Sequence, residues 1–209
     1  NKIPILSGKA IKGAIRHRAS KILDTLLPNE EKTIHCLLDQ LFGWVNNNND
    51  DDIKLEKVKY YKAKAIKSRI KIEETELGDS VKSMTQDRIK IDRFTGGVMQ
   101  GAKFESQPVW KNNHSTFKIS ISILEYEIWE ASLMLYILKD LWTGDLTIGG
   151  EKNIGRGVLI GKKAILKFDN LEIELESGLN NTILENLKDI EKFNINLQQE
   201  LKNLKTIYD

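Results

Sequence analysis

An α+β fold is the architecture this sequence predicts, and three patterns predict it. Apolar residues recur at helical spacing over 9–27 and again over 128–141. Period-two alternation marks strands, most clearly over 116–124, where Phe117, Ile119, Ile121 and Ile123 alternate with Lys118, Ser120 and Ser122. A Gly96-Gly97 pair between strand-like arms predicts a long hairpin over 86–110.

The first helix places Ala10, Ile11, Ala14, Ile15, Ile22, Leu23 and Leu26 on its apolar side, with Ser7 as N-cap and Pro28 as stop signal. Its polar side carries Lys9, Lys12, Arg16 and Lys21. Lys12 and Arg16 are four apart and stack on one side, where like charges repel, so they read either as a solvated basic face or as partners of an anion. A short apolar helix over 34–42, ended by Gly43, reads as core. The run from Asn46 to Asp52 reads as a surface loop, and its acids lack the alternating spacing and glycine of a calcium loop. From Val58 to Ile72 apolar and basic residues alternate, predicting one or two strands with a basic face. That face suits a phosphate backbone, or a lysine-rich edge that blocks aggregation.

The hairpin carries Phe94, Val98, Met99 and Phe104 near its tip beside Arg88, Lys90, Arg93 and Lys103. Apolar side chains on a cationic hairpin can wedge between bases while holding phosphates; the alternative is ordinary packing against a neighbour. The next apolar helix runs through Ile128, Ala131, Leu135, Leu138 and Leu141, with Trp129 and Trp142 packing. A loop over 148–157 then holds Gly149, Gly150, Gly155 and Gly157 together with Lys152, Asn153 and Arg156, and a strand over 158–168 follows. Glycines free the backbone to turn its N–H groups toward an anion, so the loop reads as a phosphate cradle or as a tight helix-to-strand connection. It lacks the Gly-Lys-Ser/Thr ending of a nucleotide P-loop and precedes a strand where a P-loop precedes a helix. Ile183, Leu187, Ile190, Leu197, Leu201 and Leu204 predict a closing helix or helix pair whose seam suits a coiled coil or, as expected of so short a stretch, folds back on the domain.

Composition narrows the function classes. The 209 residues carry 40% hydrophobic content and a net charge of only +2, so any polyanion must meet local basic density. The single Cys36 excludes an internal disulfide and a cysteine-rich zinc site and fits a reducing, cytoplasmic setting. His17, His35 and His114 show no metal-ligand spacing, so no metal site is expected. No apolar run approaches the roughly 20 residues of a membrane span, and no membrane partner is expected. The order helix, strand, long hairpin, strand, helix, glycine loop, strand becomes β-α-β-β-α-β if one strand precedes Asn1, which is the ferredoxin-like (RRM-like) unit, a common platform for RNA.

Four stretches resemble one family. The run Ile3-Pro4-Ile5-Leu6-Ser7-Gly8-Lys9-Ala10-Ile11-Lys12-Gly13-Ala14-Ile15-Arg16 resembles the "IPGSSLKGALR" signature of the RAMP superfamily, and Leu41-Phe42-Gly43 its "LFG". The segment from Arg88 to Phe104, centred on Ile91-Asp92-Arg93-Phe94-Thr95-Gly96-Gly97, is similar to the thumb hairpin of type III CRISPR backbone subunits. The stretch from Ile148 to Gly157 resembles the family's C-terminal glycine-rich loop. The resemblance covers about 1–168 and implies a ferredoxin-like palm with a thumb at about 80–112, followed by a strand and helical extension over 169–209. It implies a subunit, or a domain of a larger protein, that binds guide CRISPR RNA and target RNA beside neighbouring RAMP subunits. Carried over by position, Lys9, Lys12 and Arg16 meet guide phosphates near the first helix. Arg88, Arg93, Phe94, Thr95 and Met99 act at the thumb, and Gly149, Gly150, Lys152, Asn153 and Arg156 line the groove.

Target-cleaving members use an aspartate upstream of that signature, a position ahead of Asn1. Asp87 and Asp92 are the acids available as substitutes; each is also expected to pair with Arg88 or Arg93 instead. His17 and His114 are of acid–base type but have no partner in the sequence. No cofactor is identifiable, and a divalent metal enters only if target RNA is cleaved. Three readings stand: a guide-binding backbone subunit, an endoribonuclease of the same superfamily that cuts target or matures guide, and a ferredoxin-like RNA-binding module outside CRISPR.

Overall fold

The computed structural model describes residues 3–45, 65–112, 116–168 and 171–176, with Leu201. The asparagine–aspartate loop, the first half of the basic alternation, His114 and the closing helix apart from Leu201 lie outside the described residues. In chain order the elements are β1 (Ile5–Leu6), α1 (Gly8–Leu26), α2 (Glu31–Phe42), β2 (Trp44–Val45), β3 (Ala65–Ile66), β4 (Ile70–Ile72), β5 (Thr75–Glu76), β6 (Val81–Ser83), β7 (Gln86–Ile91), β8 (Val98–Ser106), β9 (Val109–Lys111), β10 (Ile121–Ile123), α3 (Ile128–Thr143), β11 (Lys163–Phe168) and β12 (Leu171–Glu176). The fold is mixed α+β, and its strands form antiparallel pairs. The chain divides into two compact units, a smaller one of Asn1–Gly8 with Glu73–Ser120 and a larger one of Lys9–Ile72 with Ile121–Asp209.

In the larger unit α1 buries Ile11, Ile15, Ala19 and Leu23 completely, a four-residue spacing that keeps one stripe inward. Burying each such side chain stabilises the fold by roughly 1.5–3 kcal/mol against leaving it in water, alanine less. Helix α2 buries Ile34, Cys36, Leu37, Leu38, Leu41 and Phe42 along with Thr33 and Asp39, and Gly43 ends the helix at φ +83. A Cβ at Gly43 would crowd the backbone of Ser68, so glycine is needed there both for its φ and for the close approach. Strands β4 and β10 pair as Ile121↔Ile72, Ser122↔Lys71 and Ile123↔Ile70, and β2 pairs with β3.

Helix α3 starts with a capping box: Glu127 and Glu130 each accept the other's backbone N–H through their side chains. Trp129 is buried and donates its indole N–H to Glu127 at 2.8 Å. Farther along, Leu135, Leu138 and Trp142 pack against Ala164, Leu166, Phe168, Ile173 and Leu175 of β11 and β12. The opposite face of that hairpin is a charged ladder, with Lys163 paired to Glu174 and Lys167 to Glu172. Alternation along β11 therefore separates an apolar inner face from a charged outer one.

Several expectations are corrected. The strand expected over 158–168 begins only at Lys163, because the Gly161 N–H bonds the Trp142 carbonyl at the end of α3 rather than a strand partner, and Val158 and Ile160 are exposed. Of the alternation over 116–124 only Ile121–Ile123 is regular strand, and Phe117 is exposed. Ile128, read as part of the apolar face, is exposed at the first position of α3. The short core helix starts earlier than the apolar run, at Glu31, because Glu30 C=O already accepts from Ile34 N–H.

Among the described residues of this unit three carboxylates are buried, and an arginine answers each. Asp39 accepts from Arg16 at 2.6 Å, Asp140 from Arg18 at 2.6 Å, and Glu130 pairs with Arg69. Burial pushes the Glu130 carboxyl above its ordinary value, against the hydrogen bond from Glu127 and the charge of Arg69. The folded state therefore holds a proton on Glu130 above pH 4.5, where the unfolded chain has lost it. Wild-type stability, measured against Glu130→Gln by urea unfolding, is accordingly expected to fall as pH rises from 4.5 through the folded-state value. A pH-independent difference between the two proteins contradicts this. Gly157 provides a second check: a Cβ there would overlap the Ile148 carbonyl, and its φ is +78. Gly157→Ala should lower stability by roughly 2–4 kcal/mol. Gly150→Ala, with open space around it, should stay within about 0.5 kcal/mol in the same thermal melts.

Candidate RNA interface

In the smaller unit β1 pairs with β5, and Leu77 N–H bonds Pro4 C=O at 2.9 Å. The rest is dominated by one hairpin. Its register is continuous from Val81↔Lys111 through Ser83↔Val109 and Gln86↔Ser106 to Ile89↔Lys103, and a Met84 N–H to Pro108 C=O bond bridges the gap between β6–β9 and β7–β8. Past Ile89 the ladder is irregular, and it resumes at Ile91↔Val98 with extra residues on β8. Such a bulge sharpens twist next to the turn.

The connection over 92–97 is held by Asp92. Its Oδ1 accepts the Phe94 N–H at 2.7 Å and the Thr95 N–H at 3.0 Å; its backbone N–H bonds Gly97 C=O and its C=O accepts from Gly96 N–H. Thr95 Oγ1 accepts the Gly97 N–H at 3.2 Å, and Gly96 takes φ +68. An Asx turn of this kind satisfies tip N–H groups that would otherwise need water. The N–H groups of Thr95 and Phe94 hold the Asp92 carboxyl below the ordinary carboxylate range. On this tied turn Phe94 is 99% exposed, and Val98, Ile91 and Met99 are exposed beside it.

The expected partners of the two hairpin acids are corrected. Asp87 pairs with Lys103 at 3.4 Å and Asp92 with the backbone N–H groups of Phe94 and Thr95, in place of Arg88 and Arg93. The ladder gives the reason. Asp87 stands opposite Glu105, so Lys103 is its diagonal neighbour on the same face, while Arg88 points to the other face. Arg88 reaches the side-chain oxygen of Gln86 on its own face at 3.5 Å.

The remaining site residues lie in the larger unit. On α1, Lys9 is exposed, while Lys12 donates to Ser68 Oγ at 2.6 Å and Arg16 donates to Asp39 and, at 3.2 Å, to Gly43 C=O. Partial burial and then the neighbouring Arg16 hold the Lys12 ammonium below its ordinary value. His17 is exposed on the same helix.

The glycine-rich stretch is a closed loop. Ile148 N–H bonds Gly157 C=O at 2.9 Å across its neck, and Glu151 C=O accepts from Ile154 and Arg156 N–H. Gly149, Gly155 and Gly157 all take positive φ, as does Glu151 at φ 57. Arg156 is paired with Glu151, a partner the sequence did not suggest, whereas Lys152 and Asn153 stand exposed on a 3-10 turn with Gly150 beside them. Among the described residues no cluster of three His, Cys, Asp or Glu has the geometry to hold a metal ion. No helix among them is long and apolar enough to cross a membrane.

Sequence comparison identifies the class of protein that carries this hairpin and loop. The family model of the RAMP superfamily matches residues 1–160, and the chain belongs to that superfamily. The superfamily is associated with CRISPR-related RNA binding, and its members typically act with RNA and other subunits in CRISPR complexes. A search of curated proteins found no match.

The role of Asp92 at the tip is directly testable. Asp92→Ala should speed amide hydrogen exchange at Phe94 and Thr95 while leaving the Gln86–Ser106 end of the ladder protected. Because its folded value is depressed, the Asp92 contribution is present above pH 3.8 and lost as pH falls through that lower value. A carbon-detected titration that places Asp92 at or above 3.8 contradicts the assignment.

Proposed function

We propose that this chain is a guide-RNA-binding backbone subunit, or a domain of one, in a type III CRISPR effector, positioning guide and target RNA beside neighbouring RAMP subunits in the cytoplasm. The observation that carries the reading is Phe94, almost wholly exposed on a turn whose backbone is tied down by Asp92. An aromatic ring gains nothing from water, and held on a rigid turn it suits insertion between bases. We assign the region over 1–168 as a ferredoxin-like palm, with the thumb at about 80–112 and an extension over 169–209.

In this reading Arg93, Phe94, Thr95 and Met99 act at the thumb, with Arg88 on its arm. Lys9 on α1 and Lys152 and Asn153 on the glycine loop are the phosphate contacts of the larger unit. Gly149 and Gly150 let RNA backbone approach the loop. Lys12, Arg16 and Arg156 serve the same RNA while bridging to Ser68, Asp39 and Glu151, since an ammonium with three donors and a guanidinium with five each have donors beyond the one partner. These are contacts that fix register without reading sequence, as a guide-independent scaffold requires.

The endoribonuclease reading draws no support from Asp92. A carboxylate held below its ordinary range is a weaker base at neutral pH, and Asp92 commits Oδ1 to two N–H groups of the turn.

RNA recovered with the purified protein from its own cells should have a defined length and a constant terminal tag. Random cellular fragments instead favour a general RNA-binding module. Lys9→Ala with Lys152→Ala should weaken binding alike for all sequences and reduce the salt slope of binding by about two. An unchanged slope removes the two lysines from the phosphate contacts.

A further inference from the structure

We infer that the two faces of the hairpin are chemically unequal, and that the face bearing Lys82, Met84, Arg88, Phe104 and Trp110 is a stacking platform for unpaired bases of single-stranded RNA. The inference rests on the RNA-binding reading above and adds which surface of the hairpin does the work.

The continuous register makes the faces readable. Residues directly opposite in an antiparallel pair share a face, and successive residues alternate between faces. One face therefore carries the pairs Lys82↔Trp110, Gln86↔Ser106 and Arg88↔Phe104, with Met84 and Pro108 between the first two. The other carries Val81↔Lys111, Ser83↔Val109, Asp87↔Glu105 and Ile89↔Lys103.

The charge is sorted between them. The first face has Lys82 and Arg88 with no acid among its pairs, whereas the second sets Asp87 and Glu105 against Lys103 and Lys111. A polyanion is attracted by the first and receives little net attraction from the second. The aromatic rings of the hairpin arms are sorted the same way: Phe104 and Trp110 both belong to the cationic face, each directly opposite a basic residue. Phe104 is 51% exposed, Trp110 45% and Met84 56%, so all three have surface for a ligand.

Phe104 and Trp110 are six residues apart along extended strand, which is about 20 Å. That exceeds one base step several-fold, so the two rings engage bases some nucleotides apart on one strand. Arg88 and Lys82 then stand beside the intervening phosphates. Rings paired with cations on an acid-free strip are the pattern of sequence-tolerant single-strand binding, because every base offers a π-face. An acidic protein partner would use the cations and leave the rings idle, so single-stranded RNA accounts for more of the face.

The test uses the full chain and a fluorescein-labelled oligouridylate in fluorescence anisotropy. Phe104→Ala and Trp110→Ala should each weaken binding roughly five- to hundred-fold. Phe104→Tyr and Trp110→Phe, which keep a π-face, should retain most of it, and this separates lost stacking from a misfolded hairpin. On the opposite face, Ile89→Ala with Val109→Ala should bind as wild type. Wild-type binding that survives both aromatic-to-alanine changes overturns the sidedness and leaves the RNA reading standing. Equal losses from the two faces overturn it as well. A wild-type chain that binds no oligouridylate and carries no RNA from its own cells overturns the RNA reading together with this inference.

Discussion

Burying a carboxylate without a counter-charge is among the costliest acts in a fold, and each of the three carboxylates buried among the described residues of the larger unit is given one. Asp39, Asp140 and Glu130 come from α2 and α3, and the arginines that answer them come from α1 and from the residue preceding β4. Each pair is thus also a tie between elements: α1 to α2 through Arg16, α1 to α3 through Arg18, and the β4 end to α3 through Arg69. The Asp140 hydrogen bond raises the Arg18 guanidinium above its ordinary value, keeping that tie charged. Apolar burial along Ile11, Ile15, Ala19 and Leu23 is free to slide by a turn; an arginine fork on a fixed carboxylate is not.

That constraint divides the labour among the basic residues. Arginines that look like ligand contacts along the sequence, Arg16 and Arg156, are engaged with Asp39 and Glu151. Lysines carry the exposed positive charge at Lys9 and Lys152. The division follows from chemistry. Guanidinium is planar, weakly hydrated and suited to a buried carboxylate, while ammonium is strongly hydrated and is better left in water, where a phosphate can find it. Phosphate contacts made by exposed ammonium groups are also ones whose strength is governed by salt.

The hairpin follows another logic. It has no buried core of its own, and its exposed side chains are unusually apolar for a surface: Ile89, Ile91, Phe94, Val98, Phe104 and Trp110. Its order comes instead from backbone pairing in a continuous register and from Asp92 closing the tip. A structure organised by its backbone leaves its side chains available for a ligand.

Helix α1, the core of α2, the hairpin and helix α3 were all legible in the sequence, because each depends on local periodicity, a glycine or proline signal, or both. The glycine loop was visible as a loop, and the four family stretches fall on β1 with α1, the end of α2, the hairpin and this loop. What periodicity could not give was partnership. Nothing in the spacing of Asp87 and Arg88 says that they point to opposite faces until the register is known, and nothing near Arg16 announces Asp39 as its partner. The late start of β11 was hidden for the same reason, since it is set by Gly161 docking on Trp142 from α3. By itself the sequence determined which segments are helix, hairpin and loop, since those choices are made by residues within a few positions of one another. Only the tertiary structure decided which cations are engaged internally and which face of the hairpin is basic, because both depend on groups brought together from distant parts of the chain.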